Sequence, residues 1–292
     1  MKRLCKANKT WQVDGVLDQK LAKLRELLLS YESCLVAYSG GVDSVLLAWL
    51  GHDVLGNRSL AVIADSPSLP RRELEEAITV AEQFKIPLRV VKTAEFDNAS
   101  YTANPVNRCY FCKSELFREL EPIAVKEGFR VIAYGENASD IGDFRPGAKA
   151  AAEFQVRAPL KEVGMTKAEI RELSARYGLP TADKPQMACL SSRIPHGEIV
   201  TPAKLSMIEQ AENLLKDLGF YDLRVRHHEL QQGSLARIEV GPTEMGRFLE
   251  PGVNERISAE LRKLGYLHVT LDLTGYRRGS LNPTGVRLQE LK

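Results

Sequence analysis

Leucines at Leu17, Leu21, Leu24 and Leu28 fall on one face of a helix, and the run that follows them, "CLVAY", is short, apolar and of strand type. The strand pattern returns in "LAVIAD", "LRVVK" and "RVIAYG", separated by helical segments such as Arg71 to Phe84 and Cys112 to Ala124. Strands that are apolar on both sides and alternate singly with helices predict an α/β fold with a parallel sheet covered on both faces. Thr166 with Glu169 forms a capping box that opens a further helix, which Gly178 and Pro180 close. The pattern changes near "GEIVTPAKL", where Thr201 caps a helix and Pro202 takes its favoured first position. We therefore expect one domain over 1–200 and a smaller α+β domain over 201–292. Its expected order is helix (202–218), strand ("YDLRVRHH"), strand ("LARIEV"), helix (243–264) and strand ("HVTLDLTGY").

Composition narrows the function classes. With 292 residues, 44% of them hydrophobic and 27% charged, the chain reads as a soluble globular protein large enough for two domains. Apolar runs such as "VLLAWL" fall far short of the roughly 18 residues of a spanning helix, so no membrane partner is expected. The basic start "MKRLCKANKTWQVDG" is not followed by an apolar core, and the expected location is the cytoplasm. A net charge of +2 argues against wholesale nucleic-acid binding. Five cysteines, an odd number without regular spacing, do not form a secreted disulfide framework. Two of them, Cys109 and Cys112, stand three apart in "RCYFCKSELF", a pairing that in a reducing compartment binds metal or does redox chemistry.

The strongest chemical signal is "AYSGGVDSVLL". A strand ends at Tyr38, Gly40 and Gly41 permit a tight turn, and a helix starts near Ser44, so backbone N–H groups and the helix dipole converge on an anion. Ser39 and Ser44 add hydroxyl donors. The spacing and lysine of the Walker A pattern are missing. The motif resembles instead the SGGxDS loop of the PP-loop ATP pyrophosphatases, which bind the pyrophosphate of ATP and transfer AMP to an acceptor. That resemblance implies that Asp43 helps to hold Mg²⁺. Ligands in open α/β sheets sit outside the carboxyl ends of strands. Asp65 ends one strand, and Gly135, Asn137 and Asp140 follow another in "YGENASD"; the resemblance implies contacts there with adenine, ribose or metal. In "DFRPGAKAA", Arg145 precedes a proline and can project toward a phosphate or carboxylate.

Several segments in order, "SGGVDS", "ADSPSLPRREL", "RCYFCKSELF", "YGENASD", "DFRPG", "MACLSSRIPHGEIVT", "RVRHH" and "ARIEV", resemble the LarE family, ATP-dependent sulfur transferases that build the nickel-pincer nucleotide cofactor, the cofactor of lactate racemase maturation. The resemblance covers nearly the whole chain. It implies adenylation of a carboxylate of pyridinium-3,5-biscarboxylic acid mononucleotide, then exchange of carboxylate oxygen for sulfur. ATP is needed because carboxylate oxygen leaves poorly, whereas an acyl-adenylate expels AMP when sulfur attacks. In members with a lone cysteine at the position of Cys189, that residue gives up its own sulfur and becomes dehydroalanine. Here Cys109 and Cys112 accompany Cys189, as in the three-cysteine members. Three thiolates can hold a [4Fe–4S] cluster and leave one iron free for a transferred sulfide, which a sulfide donor must replace.

Alternatives stay open at this level. His196 could complete a Cys₃His zinc site, and Cys189 could be sacrificed. The acceptor carries a phosphate and carboxylates, so the site needs cations; Arg224 and Arg226, two apart on a strand, face the same way and join Arg193 as candidates. Glu239 is a candidate for a divalent ion. A tRNA-thiolating PP-loop enzyme would also adenylate its target, although the near-neutral charge argues against an RNA-binding extension. A non-catalytic nucleotide sensor would leave the cysteines without a use. The family resemblance further implies a homo-oligomer.

Overall fold

The computed structural model describes residues 15–140 and 146–277. Arg145 and Cys5 lie outside them. In chain order the elements are α1 (Val16–Ser30), β1 (Cys34–Ala37), α2 (Val42–Leu55), β2 (Ser59–Asp65), α3 (Arg71–Gln83), β3 (Leu88–Lys92), α4 (Ala99–Thr102), α5 (Arg108–Glu127), β4 (Val131–Tyr134), α6 (Pro146–Glu153), α7 (Pro159–Glu162), α8 (Lys167–Arg176), α9 (Pro202–Asp217), β5 (Leu223–Leu230), β6 (Gly233–Val240), α10 (Val253–Lys263) and β7 (Tyr266–Leu271).

The first four strands form a parallel sheet in the order β3-β2-β1-β4. All four residues of β1 are buried because the strand lies between two apolar layers. Cys34 and Val36 face α1, α2, α3 and α8, while Leu35 and Ala37 face Phe117 and Leu120 of α5 and Ala150 of α6. The chain leaves β1 toward β2 and later returns to its other side as β4, so the loops after β1 and β4 diverge and open a crevice between them.

The remaining strands make a sheet in the order β5-β6-β7, with β5 antiparallel and β7 parallel to β6. A separate core fills it: Phe220, Leu223, Val225, Ile238, Phe248, Ile257 and Leu261. The expected helix over 243–264 is broken. Pro251 disfavours helical backbone at Glu250, which is extended (ψ 141°), and Gly252 takes φ +80° before α10 starts. The last strand starts earlier than its pattern suggests and stops at Leu271, where Asp272 accepts from the Thr274 amide at 2.8 Å in an Asx turn. Among the described residues no helix is long and apolar enough to cross a membrane.

Candidate functional site: two cavities and a thiol group

The crevice between β1 and β4 holds a cavity of about 300 Å³ lined by Ser39, Asp43, Ser44, Gly135, Gly147, Cys109 and Lys113, among others. Its floor is the loop that Gly40 and Gly41 make possible. Gly40 sits at φ +70°, and a Cβ there would come within 2.7 Å of Ala77 Cβ, so only glycine keeps the loop against α3. Gly41 precedes α2 in extended conformation and gives no side-chain cap. The first-turn amides of α2 are therefore left for an anion. Ser44 Oγ accepts from the Ser39 amide at 3.1 Å, lies 3.0 Å from Ser39 Oγ and donates to Gly41 O, which stiffens the turn. On the opposite lip a Cβ at Gly135 would stand 2.9 Å from the Ser44 amide nitrogen. The absence of a side chain there lets the loop after β4 pack directly against the first turn of α2.

Asp43 lies in the first turn of α2, its Oδ1 accepting from Asn137 Nδ2 at 3.3 Å and its Oδ2 paired with Lys167 Nζ at 2.5 Å. A carboxylate in a glycine-walled anion cavity fits a Mg²⁺, which would neutralise phosphate charge there. Asp140 accepts from the Asn137 amide and Asp65 pairs with Arg71; Asp140 faces a second cavity, and Asp65 is not in the wall of either.

That second cavity, about 470 Å³, opens between the two sheets' helices and loops and is lined by Lys167, Arg171, Lys216 and Arg224, with Asp140, Asp222, Tyr221 and Tyr276. Arg224 is buried, stacks on the Tyr276 ring at 4.8 Å and donates to the Leu223 carbonyl. Burial, followed by the nearby Arg193, lowers its pKa.

Arg193 and Arg226, expected to act beside Arg224, are engaged elsewhere. Arg193 is fully buried; its Nε and Nη2 meet Glu212 at 2.9 and 3.0 Å, and its Nη1 donates to the carbonyls of Ala188 and Cys189. Arg226 donates to Glu239 at 2.9 and 2.7 Å and to the Ser192 carbonyl at 3.0 Å. Glu239 thus serves Arg226, and also Arg237 at 3.1 Å. The two arginines tie the turn that carries Cys189 to the second sheet.

Cys109, Cys112 and Cys189 are free thiols. Packing of the thiol raises Cys109, as does Cys189, while Arg108 and Lys113 pull it back. Cys112 is pushed up to about 12 by burial, then by Cys189, Glu95 and Cys109. A position near the start of α5 suggests a thiolate at Cys112, but the residue is the fifth of the helix and turns its sulfur inward, so desolvation outweighs Lys113. The three thiols thus lie within electrostatic reach of one another. Beneath them Ser66 and Ser68 donate to buried Glu95, and Tyr101 OH meets Ser68 Oγ at 2.6 Å and Ser191 Oγ at 2.8 Å. Among the described residues no three His, Cys, Asp or Glu stand in metal-holding geometry. The donor chemistry suits an iron–sulfur cluster, but the thiols would hold one only after turning toward a common point. His196 is not grouped with them; burial and then Arg108 lower its pKa.

Sequence reasoning missed Lys167, Arg171 and Lys216. Lys167 follows the Thr166 cap as the first residue of α8, a position whose only visible signal was the capping box.

The profile of the NAD synthase family matches residues 18–112. The chain is 44% identical to an uncharacterised protein of Synechocystis over 267 residues, 91% of this chain and 98% of that one. It is 32% identical to the pyridinium-3,5-bisthiocarboxylic acid mononucleotide synthase of Lactiplantibacillus plantarum over 276 residues, 94% of this chain and 98% of that protein. An uncharacterised Methanocaldococcus jannaschii protein is 27% identical over 265 residues, 90% and 99% of the two chains.

Proposed function

The chain belongs to the LarE family, whose members are ATP-dependent sulfur-transferring enzymes with a PP-loop domain, and from that premise we propose the acceptor, the residues and the sulfur route of its reaction. The acceptor is pyridinium-3,5-biscarboxylic acid mononucleotide. One carboxylate oxygen attacks the α-phosphorus of ATP, and the bond to pyrophosphate breaks. Sulfur then attacks the acyl carbon, the C–O bond to AMP breaks, and a thiocarboxylate remains. The Ser39–Ser44 turn and the α2 amides hold the leaving pyrophosphate, Asp43 would hold Mg²⁺, and Gly135 lets the loop after β4 close against the start of α2. Arg224, with Lys167, Arg171 and Lys216, takes the acceptor's phosphate and second carboxylate. Arg193 and Arg226 position the Cys189 turn, and Arg145 stays a candidate contact from the sequence alone. Residues from 201 onward act as a second domain with its own core. The enzyme works in the reducing cytoplasm, as free thiols suit, and as a homo-oligomer.

Cys109, Cys112 and Cys189, once turned toward a common point, would hold a [4Fe–4S] cluster, and that cluster would supply an open iron site for the sulfide to be transferred. The observation that carries this reading is Cys109 in the wall of the same cavity as Asp43 and Ser39, which brings the thiol group up to the adenylation site. Anaerobic purification with iron, sulfide and zinc analysis tests it. Alanine at any one of the three cysteines should lose iron and turnover together. An iron-free, active enzyme whose Cys189 has become dehydroalanine would replace the cluster by the sacrificial route, and stoichiometric zinc would replace it by a structural site.

A further inference from the structure

The pair between Lys167 and Asp43 joins the two cavities. Asp43 lines the first, Lys167 lines the second, and the ammonium and carboxylate meet at 2.5 Å. Neither group is deeply buried: the side chains are 29% and 18% exposed, so each can exchange its partner for another. The backbone at Lys167 is fixed, because its amide donates to Ser139 Oγ at 3.0 Å and the residue starts α8 behind a complete capping box. What can move is the four-carbon stem and its charge.

A divalent cation at Asp43 competes with that ammonium for the charge of one carboxylate, and the two positive charges repel. The displaced amine has a prepared wall to turn to. While Lys167 is neutralised by Asp43, three cations, Arg171, Lys216 and Arg224, face the two carboxylates Asp140 and Asp222 across the second cavity. Once Lys167 is released, a fourth cation faces the second cavity, and the positive charge available to an anion rises by one.

We propose that Mg²⁺·ATP binding hands the Lys167 charge from Asp43 to the second cavity, so that the phosphate of the pyridinium mononucleotide is held tightly only after the nucleotide is in place. This ordering protects chemistry: an acceptor cannot occupy its site at full affinity while the adenylating reagent is missing. It rests on the reading above that Asp43 carries Mg²⁺ and that the second cavity takes the acceptor. By linkage the effect is reciprocal, and the acceptor tightens Mg²⁺·nucleotide by the same factor.

The test uses the full chain, Mg²⁺ with α,β-methylene ATP, and nicotinamide mononucleotide, a pyridinium mononucleotide without the reacting carboxylate pair. Calorimetry should give tighter mononucleotide binding with Mg²⁺·nucleotide present, by about fivefold to tenfold, the lower part of the usual range of coupling between sites. In Lys167→Met the mononucleotide should bind at the weak level with or without nucleotide. In Asp43→Asn, where Lys167 has lost its carboxylate, it should bind at the tight level without any nucleotide. Equal affinities with and without Mg²⁺·nucleotide in the wild type overturn the handover and leave the site assignment standing. Coupling that survives in Lys167→Met, or Asp43→Asn binding no tighter than the bare wild type, overturns it as well. Failure of the wild type to bind Mg²⁺·nucleotide at all overturns the underlying assignment, and the handover with it.

Discussion

Replacing Arg193 by methionine removes a charge from the most enclosed ion pair among the described residues while keeping much of the side-chain volume. The arginine is 0% exposed and its partner Glu212 is 3% exposed. The substitution strands Glu212 and also frees the Ala188 and Cys189 carbonyls that Arg193 Nη1 holds at 2.6 and 2.9 Å. Breaking one side of a buried pair costs about 3–5 kcal/mol, because an uncompensated charge stays behind. In the wild type, burial alone would raise the Glu212 carboxyl, but the charge and hydrogen bonds of Arg193, with the Val225 amide, hold it below the usual range. The pair's contribution is therefore present above the ordinary carboxylate pKa of about 4.3 and is lost as pH falls through the lower folded-state value. In Arg193→Met burial dominates, the carboxyl rises, and the penalty is relieved as pH falls through that raised value. Urea unfolding should show a gap between the two proteins of about 3–5 kcal/mol near pH 8 that narrows toward about pH 5. Adding Glu212→Met should recover most of the loss. A gap under about 1 kcal/mol, or one unchanged by pH, refutes the reasoning.

Asp43→Ala should abolish acceptor-dependent AMP formation with the circular-dichroism spectrum unchanged; wild-type turnover in the folded variant would remove Asp43 from the reaction. Gly135→Ala should weaken ATP binding at least tenfold, about 1.4 kcal/mol, since the new Cβ would lie 2.9 Å from the Ser44 amide nitrogen; unaltered nucleotide affinity by calorimetry would show that the lip is not part of the site. Arg224→Met should raise the acceptor KM with the KM for ATP little changed, and an equal loss for both would move Arg224 out of the acceptor site.

The loop at residues 39–44 was legible because its chemistry is local: two glycines, two hydroxyls and a helix start lie within six residues, and the β1 placement follows from a strand apolar on both faces. The Thr166 capping box was legible for the same reason, both halves being three residues apart and both bonds present. The arginines of β5 show where this stops. Their spacing put them on one side of a strand, but what faces them comes from elsewhere: Glu239 from β6 claims Arg226, while Arg224 is left to the cavity. Arg193 meets Glu212 of α9, 19 residues away. Lys167 is a further case, with its carboxylate partner 124 residues distant. No periodicity reports a contact of that kind. The ionisation of Cys112 was not legible either, since it depends on which way its helix face turns.

The central claim is that ATP-driven adenylation at the first cavity delivers sulfur to a pyridinium carboxylate. Its most direct test is anaerobic incubation of the iron-loaded protein with Mg²⁺·ATP, pyridinium-3,5-biscarboxylic acid mononucleotide and excess sulfide, with AMP and acceptor mass followed together. The account predicts one AMP for each oxygen-to-sulfur exchange, continuing over many turnovers with the Cys189 peptide intact. AMP without a thiocarboxylate, or a thiocarboxylate without AMP, would contradict it.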